Sequence, residues 1–393
     1  MERRNFLKGA ALTAGTAATT TLAAPAIAQE RIDMVIVSTW PRDFPGLGIP
    51  AQRMAARIEE LSEGRLAVQY FAAGERVGAF DSFDEVASGN AQAYIGAEYY
   101  WKGKHPGFAP YTALPFGLTY TEMDAWIKFM GGQELWDELS GEFGIKAFAA
   151  GNTGVQMGGW FNKEINSAED LKGLKMRIPG LGGDVMAKLG ASPVALPGGQ
   201  IYENLVSGAI DATVWVGPFN DYFMKFYEAA KYYYWPGMHE PGSQLALGMN
   251  ASWWGGLPPA LQNIIHAACN EENSRTMAET NANNGTYLTK LVVENGVVLK
   301  EFNDDIYDAF GQAAKEVEEE ARSHSDLAAR IIDSHNAARQ DVGSWMTLAD
   351  VAYSIKRNRV LGIGGGGAGA AGGGSCDPAV QALADAVRGL VGK

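Results

Sequence analysis

The sequence is poor in the residues that build metal clusters, disulfide frameworks and nucleic-acid surfaces. Its 393 residues include only two cysteines and five histidines. Cys269 and Cys376 lie on opposite sides of a glycine run and form no disulfide framework. The histidines show no metal-ligand spacing. The net charge of −13 argues against a nucleic-acid partner.

Long apolar runs and catalytic signatures are also absent. After residue 28 the sequence has no run of about 18 or more apolar residues, so we expect a soluble mature chain. It has no Gly-x-Ser-x-Gly, no His-Glu-x-x-His and no Cys/His cluster. An exported enzyme would need a nucleophile with its base, or paired carboxylates, in a cleft. We therefore predict neither catalysis nor an organic cofactor.

Residues 1–28 have the pattern of an export signal. Adjacent Arg3 and Arg4 precede Phe-Leu-Lys, a weakly apolar stretch and the small-residue site Ala26-x-Ala28. This order resembles a twin-arginine signal, which predicts a mature chain that begins at Gln29 in the periplasm. The apolar part is too short and too polar for a membrane anchor.

The next part of the chain contains two similar halves. Residues 32–97 alternate strand, helix, strand, helix and strand, and residues 174–216 repeat this order. In each half the second helix ends in Ser-Gly, at Ser88-Gly89 and at Ser207-Gly208, before a strand that begins with Ala or with Asp-Ala. Such alternation predicts an α/β fold of two lobes, each a mostly parallel sheet flanked by helices.

Two extended segments are candidates for the connections between the lobes. Residues 145–161 would cross from the first lobe to the second, and residues 244–250 would cross back. Residues 303–340 read as one long helix whose apolar stripe needs a partner surface. The predicted segments are the signal 1–28, lobe 1 at 29–150, lobe 2 at 151–250, return helices and a long C-terminal helix at 251–361, a glycine-rich linker at 362–375 and an amphipathic tail helix at 376–393.

Facing lobes place a ligand in the crevice at the carboxyl ends of their strands. Arg177 lies where a strand gives way to a glycine-rich helix start, and its guanidinium could hold a carboxylate there, helped by free helix N–H groups. The alternative is an arginine paired with a nearby acid. Gln156 would face the crevice or be an interior amide, and Glu240 would lie at the crevice edge or be a solvated turn carboxylate.

Several segments resemble the solute receptors of tripartite ATP-independent periplasmic (TRAP) transporters over about residues 31–355. They are Asp170-Leu-Lys-Gly-Leu-Lys-Met-Arg177-Ile-Pro, Leu189-Gly-Ala-Ser-Pro-Val and Ser207-Gly-Ala-Ile-Asp-Ala-Thr. Gly96-Ala-Glu-Tyr-Tyr, Trp215-Val-Gly-Pro-Phe-Asn-Asp221 and His239-Glu-Pro-Gly are similar to the branch that binds 2-oxo acids and lactate. The resemblance implies a two-lobed periplasmic binding protein fold that delivers a small organic monocarboxylate to membrane permease subunits. It also implies a homodimer formed through the long C-terminal helix.

The resemblance also implies a set of site residues. Arg177 would hold the ligand carboxylate, and Gln156 would reach both the ligand and a sodium or calcium ion. The other implied ligand contacts are Tyr94, Ile95, Gly96, Ala97, Tyr100, Trp215, Phe219 and Asn220. The ion would also be held by the Trp215 carbonyl and Glu240, but Val214 replaces the carboxylate typical of the branch. Because hard cations prefer several oxygen ligands, this replacement weakens the ion site or accompanies a ligand whose own polar group fills the gap.

The alternative function is an amino-acid or other polar-solute receptor of an ABC importer, on the same two-lobed plan. Such a receptor needs an acidic residue near Arg177 for the ligand ammonium. Asp184, Asp211 and Asp221 are the nearest in sequence. Among small acids, the shape of the pocket decides the ligand, and no motif identifies it.

Overall fold

The computed structural model describes residues 31–362. The predicted export signal, most of the predicted linker and the predicted tail helix lie outside the described residues. Two sheets are present. The first has the strand order β2 (Leu66–Phe71), β1 (Ile32–Ser38), β3 (Ala93–Gly96), β10 (Gln244–Asn250) and β4 (Ile145–Asn152). The second has the order β11 (Val298–Glu301), β9 (Tyr232–Trp235), β5 (Gly159–Phe161), β8 (Ala212–Thr213), β6 (Lys175–Arg177) and β7 (Ser192–Val194).

The two sheets share one plan, as the repeated order of elements in the sequence predicted. In the first, β1 lies parallel to β2 and β3, and β3 pairs antiparallel with β10. In the second, β6 lies parallel to β7 and β8, and β8 pairs antiparallel with β5. Thus β10 and β5 occupy equivalent places in the two sheets. The prediction that 244–250 crosses back was wrong, because these residues form β10 of the first sheet; the chain crosses at 153–158 and returns at 236–243. The predicted two-lobed α/β fold is confirmed.

The helices cover the sheets. They are α1 (Gly48–Leu61), α2 (Ser82–Ala87), α3 (Tyr120–Phe129), α4 (Gly132–Glu142), α5 (Gly180–Lys188), α6 (Gly198–Val206), α7 (Pro218–Phe223), α8 (Ala251–Gly256), α9 (Pro259–Thr289), α10 (Asp304–Arg322), α11 (Asp326–Met346) and α12 (Ala352–Leu361). The long α9 packs on β4, on α1 of the first lobe and on α7 of the second. Within residues 31–362, no helix is both long and apolar enough to cross a membrane.

The predicted long C-terminal helical region is present, but the stretch 303–340 is divided into two long helices, α10 and α11. The break has a local cause: the Ser325 side chain accepts a hydrogen bond from the Ala328 amide and caps a new helix. Asn336 on α11 donates back to Glu318 on α10 across 2.6 Å. The two helices therefore pack on each other as a hairpin, and the longest helix of the described chain is α9.

The segment before Arg177 and the segment after Thr213 are positioned by one backbone ladder. Arg177 ends β6 opposite Thr213 in β8, and the Val214 amide donates to the Arg177 carbonyl across 3.0 Å. The last strand of the predicted second half, which was expected to run to residue 216, ends at Thr213, because the chain then turns, with the Val216 amide donating to the Asp221 carboxylate. This turn brings Trp215 beside Arg177.

Candidate ligand-binding site between the lobes

A small cavity, with about 10 Å³ of free space, lies where the lobes meet. This is room for about one water molecule, so an organic acid fits here only when the lobes move apart to admit it. Both lobes and both crossing segments contribute to its wall. The lining residues are Trp40, Leu47, Ala97, Tyr99, Tyr100, Thr153, Gln156, Arg177, Trp215, Val216, Glu240, Ser243 and Leu245.

Arg177 is the buried cation of this cavity and is only 1% exposed. Its Nε donates to the Leu196 carbonyl (3.1 Å), and its Nη1 donates to the Val214 carbonyl (3.0 Å). Nη2 is buried with no hydrogen-bond partner, and no acid of residues 31–362 forms an ion pair with Arg177. Two carbonyls therefore fix the guanidinium while one nitrogen is left for an anionic ligand.

Gln156 and Glu240 form a hydrogen-bonded pair opposite Arg177 in the cavity lining. The Gln156 Nε2 donates to the Glu240 carboxylate (2.7 Å) and to the Thr153 hydroxyl (3.1 Å), whereas its Oε1 is buried without a partner. Burial raises the pKa of Glu240 to about 7, although Ser243 and the Arg177 charge oppose this shift. The carboxyl can therefore change protonation state near neutral pH.

These residues offer oxygen ligands to a cation, but few of them. The Gln156 Oε1 is unpartnered, and Glu240 supplies one carboxylate. Val214 contributes no side-chain ligand, and its carbonyl already accepts from Arg177. In the part of the chain that the structure describes, no group of three or more His, Cys, Asp or Glu could hold a metal ion. The donors fit a singly charged ion that takes further oxygens from the backbone and the ligand better than calcium, which takes 6–8 oxygens.

The structure brings together only part of the implied site. Six of its residues line the cavity: Arg177, Gln156, Ala97, Tyr100, Trp215 and Glu240. Five do not: Tyr94, Ile95, Gly96, Phe219 and Asn220. No residue of α5 lines the cavity either, because Tyr99 packs against Gly180 at the start of that helix. The expected help from helix N–H groups is therefore absent from the described cavity wall.

The outlying residues have structural partners of their own. The Tyr94 hydroxyl donates to the buried Glu98 inside lobe 1 (2.7 Å). Phe219 packs on Tyr287 of α9 at a ring separation of 5.2 Å. Asn220 in lobe 2 donates to the Pro45 carbonyl in lobe 1 (3.2 Å), so it fastens one lobe to the other.

The predicted set of site residues omitted seven lining residues, although Tyr99 was expected at the rim of the crevice: Trp40, Leu47, Tyr99, Thr153, Val216, Ser243 and Leu245. A usable signal existed for some of them. Trp40 follows the carboxyl end of β1, which is where ligands bind in such sheets. Thr153 and Ser243 lie on the two crossing segments and share a backbone hydrogen bond of 3.1 Å.

The three aspartates considered for an amino-acid receptor are engaged elsewhere. Asp184 pairs with Lys102 of the opposite lobe, and Asp211 accepts from the Lys175 amide. Asp221 is buried and accepts from Trp160 (2.9 Å) and Tyr233 (2.8 Å). None of the three lines the cavity. The acid that does line it, Glu240, is engaged by Gln156.

A two-lobed fold with a buried arginine between the lobes is typical of solute-binding proteins, and comparison with known proteins gives the family. The family described as bacterial extracellular solute-binding protein, family 7, matches residues 37–324. This chain belongs to that family.

Relatives agree in fold and in branch. A monocarboxylate 2-oxoacid-binding periplasmic protein from a Nostoc species is 36% identical over 358 residues, covering 90% of this chain and 98% of that one. A TRAP periplasmic solute binding protein of Pseudoalteromonas atlantica, crystallised with sodium and pyruvate, has a TM-score of 0.80 at 38% identity over 83% of this chain and 99% of that chain. A TRAP solute binding protein of Bordetella bronchiseptica, a mixed-occupancy dimer with calcium and picolinate, has a TM-score of 0.83 at 32% identity over 85% of this chain and 99% of that chain. The resemblance to TRAP receptors of the 2-oxo acid branch is confirmed.

Proposed function

We propose that this chain captures a small 2-oxo or 2-hydroxy monocarboxylate and delivers it to the membrane permease of a TRAP transporter. The observation that carries the proposal is the unpartnered Nη2 of Arg177, buried in a small cavity between two lobes. The P. atlantica structure with pyruvate and the named specificity of the Nostoc relative support the same ligand class.

The polar atoms of the cavity suit such an acid. Arg177 Nη2 and Trp215 Nε1 are buried donors without partners, and both residues line the cavity. A carboxylate, with the oxygen on its neighbouring carbon, supplies acceptors for both donors. Charge-assisted hydrogen bonds in a dry site are about twice as strong as neutral ones. The ligand therefore satisfies donors that no protein group satisfies.

The proposed role is capture and release without bond chemistry. The one acid among the lining residues, Glu240, is engaged by Gln156 and by the Ser243 and Tyr99 hydroxyls, and neither a histidine nor a cysteine of residues 31–362 lines the cavity. The two lobes are joined around the cavity by contacts that an opening motion would break, namely Lys102 with Asp184 and Asn220 with the Pro45 carbonyl. Opening and closing of the lobes would then admit and retain the acid.

A bound cation is part of the proposal. Gln156, Glu240 and the Trp215 carbonyl would hold a sodium ion, which would balance an ionised Glu240 while Arg177 balances the ligand. Such an ion supplies a positive charge to which both the carboxylate and the ligand oxygens can bind. When Glu240 is protonated, the positive charge of Arg177 balances the negative charge of the ligand carboxylate, and no ion is needed. Cation binding and the ionisation of Glu240 are therefore coupled.

Two further proposals concern the cellular location and the oligomeric state of the protein. We propose that residues 1–28 direct export by a twin-arginine route, as the sequence pattern indicates. Replacing Arg3 and Arg4 by lysine should then leave the protein in the cytoplasm, and unchanged export to the periplasm would contradict this. We propose that the C-terminal helices form a homodimer, since α12 exposes apolar side chains and the B. bronchiseptica relative is a dimer.

Calorimetric titration of ligand-free protein tests the function. Pyruvate, 2-oxobutanoate and lactate should bind, whereas alanine and glutamine should not, because the proposed sodium ion occupies Glu240, the one acid of the cavity lining that could hold an ammonium group. Mass spectrometry of the acid released after binding should give the mass of the acid that was added. Equal affinity for amino acids would support the ABC importer alternative, and conversion of the acid would support an enzyme.

A further inference from the structure

Trp215 lies between two spaces of different character. On one side is the polar cavity that contains Arg177, and the indole ring forms part of its wall. On the other side is a groove of about 260 Å³, which Trp215 also lines. The groove runs between the lobes, with Phe44 from lobe 1 facing Tyr202 and Phe223 from lobe 2. The indole is thus a wall that the two spaces share.

The indole is held in this position from several sides and is only 6% exposed. Phe44 meets it edge-on at a ring separation of 5.9 Å, and the Arg177 guanidinium lies 5.3 Å from its ring. Gly198 lies so close that a Cβ there would be 2.2 Å from the indole Cη2. A glycine is therefore required at 198 for the ring to occupy this place, which makes the wall a specific packing feature.

The groove is lined mainly by apolar and aromatic groups. Phe44, Tyr202, Phe223 and Met224 line it, together with the glycines Gly198 and Gly199. These groups suit a hydrocarbon chain, and Lys225 is the one charged residue of the described lining. Trp215 is the residue that lines both the groove and the cavity, and its ring contacts the Arg177 guanidinium of the cavity and Phe44 of the groove.

We propose that Trp215 is the residue that sets the upper limit on ligand chain length. Removing its ring would join the cavity to the groove, so that an acid held by Arg177 could extend its hydrocarbon chain over Phe223 and Met224. The ligand class of the opened site would be medium-chain, unbranched 2-oxo monocarboxylates. This inference rests on the proposed function, because it needs Arg177 to hold the carboxylate.

The test compares the wild-type protein with Trp215→Ala in calorimetric titrations with pyruvate and with 2-oxooctanoate. The wild type should prefer pyruvate. Trp215→Ala should bind 2-oxooctanoate about tenfold tighter than the wild type does, or better, because the added methylenes become buried. It should also bind pyruvate more weakly, since the small acid loses one wall. Phe129→Ala removes an aromatic ring that is 87% exposed on α3 and should change neither affinity.

A second variant locates the chain. Adding Phe223→Ala to Trp215→Ala should remove part of the gain for 2-oxooctanoate, and an undiminished gain would overturn the assignment of the groove. If Trp215→Ala does not fold, Trp215→Phe decides the question with 2-oxopentanoate, whose affinity should rise. A folded Trp215 variant with wild-type chain-length preference would overturn the proposal while leaving the proposed function intact. A wild-type protein that binds 2-oxooctanoate as tightly as pyruvate would also overturn it, and one that binds no 2-oxo acid would refute both.

Discussion

Gln156 donates its side-chain amide to the Glu240 carboxylate across 2.7 Å, and each residue is 3% exposed. Gln156 lies on the segment that leaves lobe 1, and Glu240 lies on the segment that returns to it. A second, backbone bond of 3.1 Å runs from the Gln156 amide to the Glu240 carbonyl. The two connections between the lobes are therefore tied together at the cavity, and the charge of Glu240 affects both the ligand site and the hinge.

Burial raises the pKa of Glu240 to about 7, which makes stability depend on pH. Between about pH 4.5 and 7 the unfolded chain loses this proton while the folded protein keeps it, so stability should fall as the pH rises. One such proton corresponds to a slope of about 1.4 kcal/mol per pH unit. Glu240→Gln should therefore make the decline shallower. It should not abolish it, because burial also raises the pKa of Glu98 to about 7 and that of Asp221 to about 6.

Urea unfolding of the ligand-free protein in sodium-free buffer, repeated from pH 4.5 to 7.5, measures this slope. Glu301→Gln removes an exposed carboxylate from β11 and serves as the matched control. A slope that Glu240→Gln leaves unchanged would show that Glu240 is already ionised in this range.

Arg177→Ala should abolish ligand binding while the fold survives. Removing one partner of a buried, hydrogen-bonded charge pair costs about 3–5 kcal/mol, so the affinity for pyruvate should fall by a factor of about 100 or more. The rise in melting temperature on adding pyruvate should disappear. Arg76→Ala, which removes an arginine from a surface pair with Glu85, should keep the full rise. A normal pyruvate shift in Arg177→Ala would mean that the acid binds elsewhere.

Sodium should strengthen pyruvate binding. The unpartnered Gln156 Oε1 and the Glu240 carboxylate are the side-chain oxygens proposed for the ion. Replacing sodium chloride by choline chloride at constant ionic strength should therefore weaken pyruvate binding, and Gln156→Ala should reduce the difference. The readouts are calorimetric affinity and metal analysis of the purified protein. If affinity does not depend on sodium and no metal is found, Arg177 holds the acid without an ion.

The C-terminal helices should mediate dimerisation. Trp345 at the end of α11 and Tyr353 in α12 are each 64% exposed, and α12 has no buried residue in the described chain. Replacing both by aspartate should convert a dimer into a monomer, because charges would be forced into an apolar interface. Light scattering coupled to gel filtration gives the mass. Phe129→Asp on α3 is the control for an exposed aromatic outside this surface, and a variant that stays dimeric would place the interface elsewhere.

The sequence predicted the order of elements and the central arginine because both depend on local patterns. The strand–helix alternation and the Ser-Gly helix ends recur in the same order in both halves of the sequence. Arg177 lies at a recognisable junction between a strand and a helix. The break between α10 and α11 was also readable, since Ser325-Asp326 is a typical helix start. An unbroken apolar stripe masked it.

The sequence could not decide which side chains face the cavity. Tyr94 and Tyr100 lie six residues apart, yet Tyr94 points into the lobe 1 core towards Glu98 while Tyr100 lines the cavity. The choice depends on a 3₁₀ turn at Glu98–Trp101, which a short aromatic run does not reveal. Asn220 likewise contacts Pro45, a residue 175 positions away, and only tertiary packing brings the two together.

The spare Nη2 of Arg177 has a consequence for traffic through the transporter. If the lobes closed without a ligand, the Arg177 Nη2 donor would be buried without water or any other hydrogen-bond partner, at a cost of about 1–3 kcal/mol or more. A ligand-free receptor should therefore be mostly open, and ligand binding should shift the conformational equilibrium towards the closed form. A permease that recognises only the closed form would then bind few ligand-free receptors.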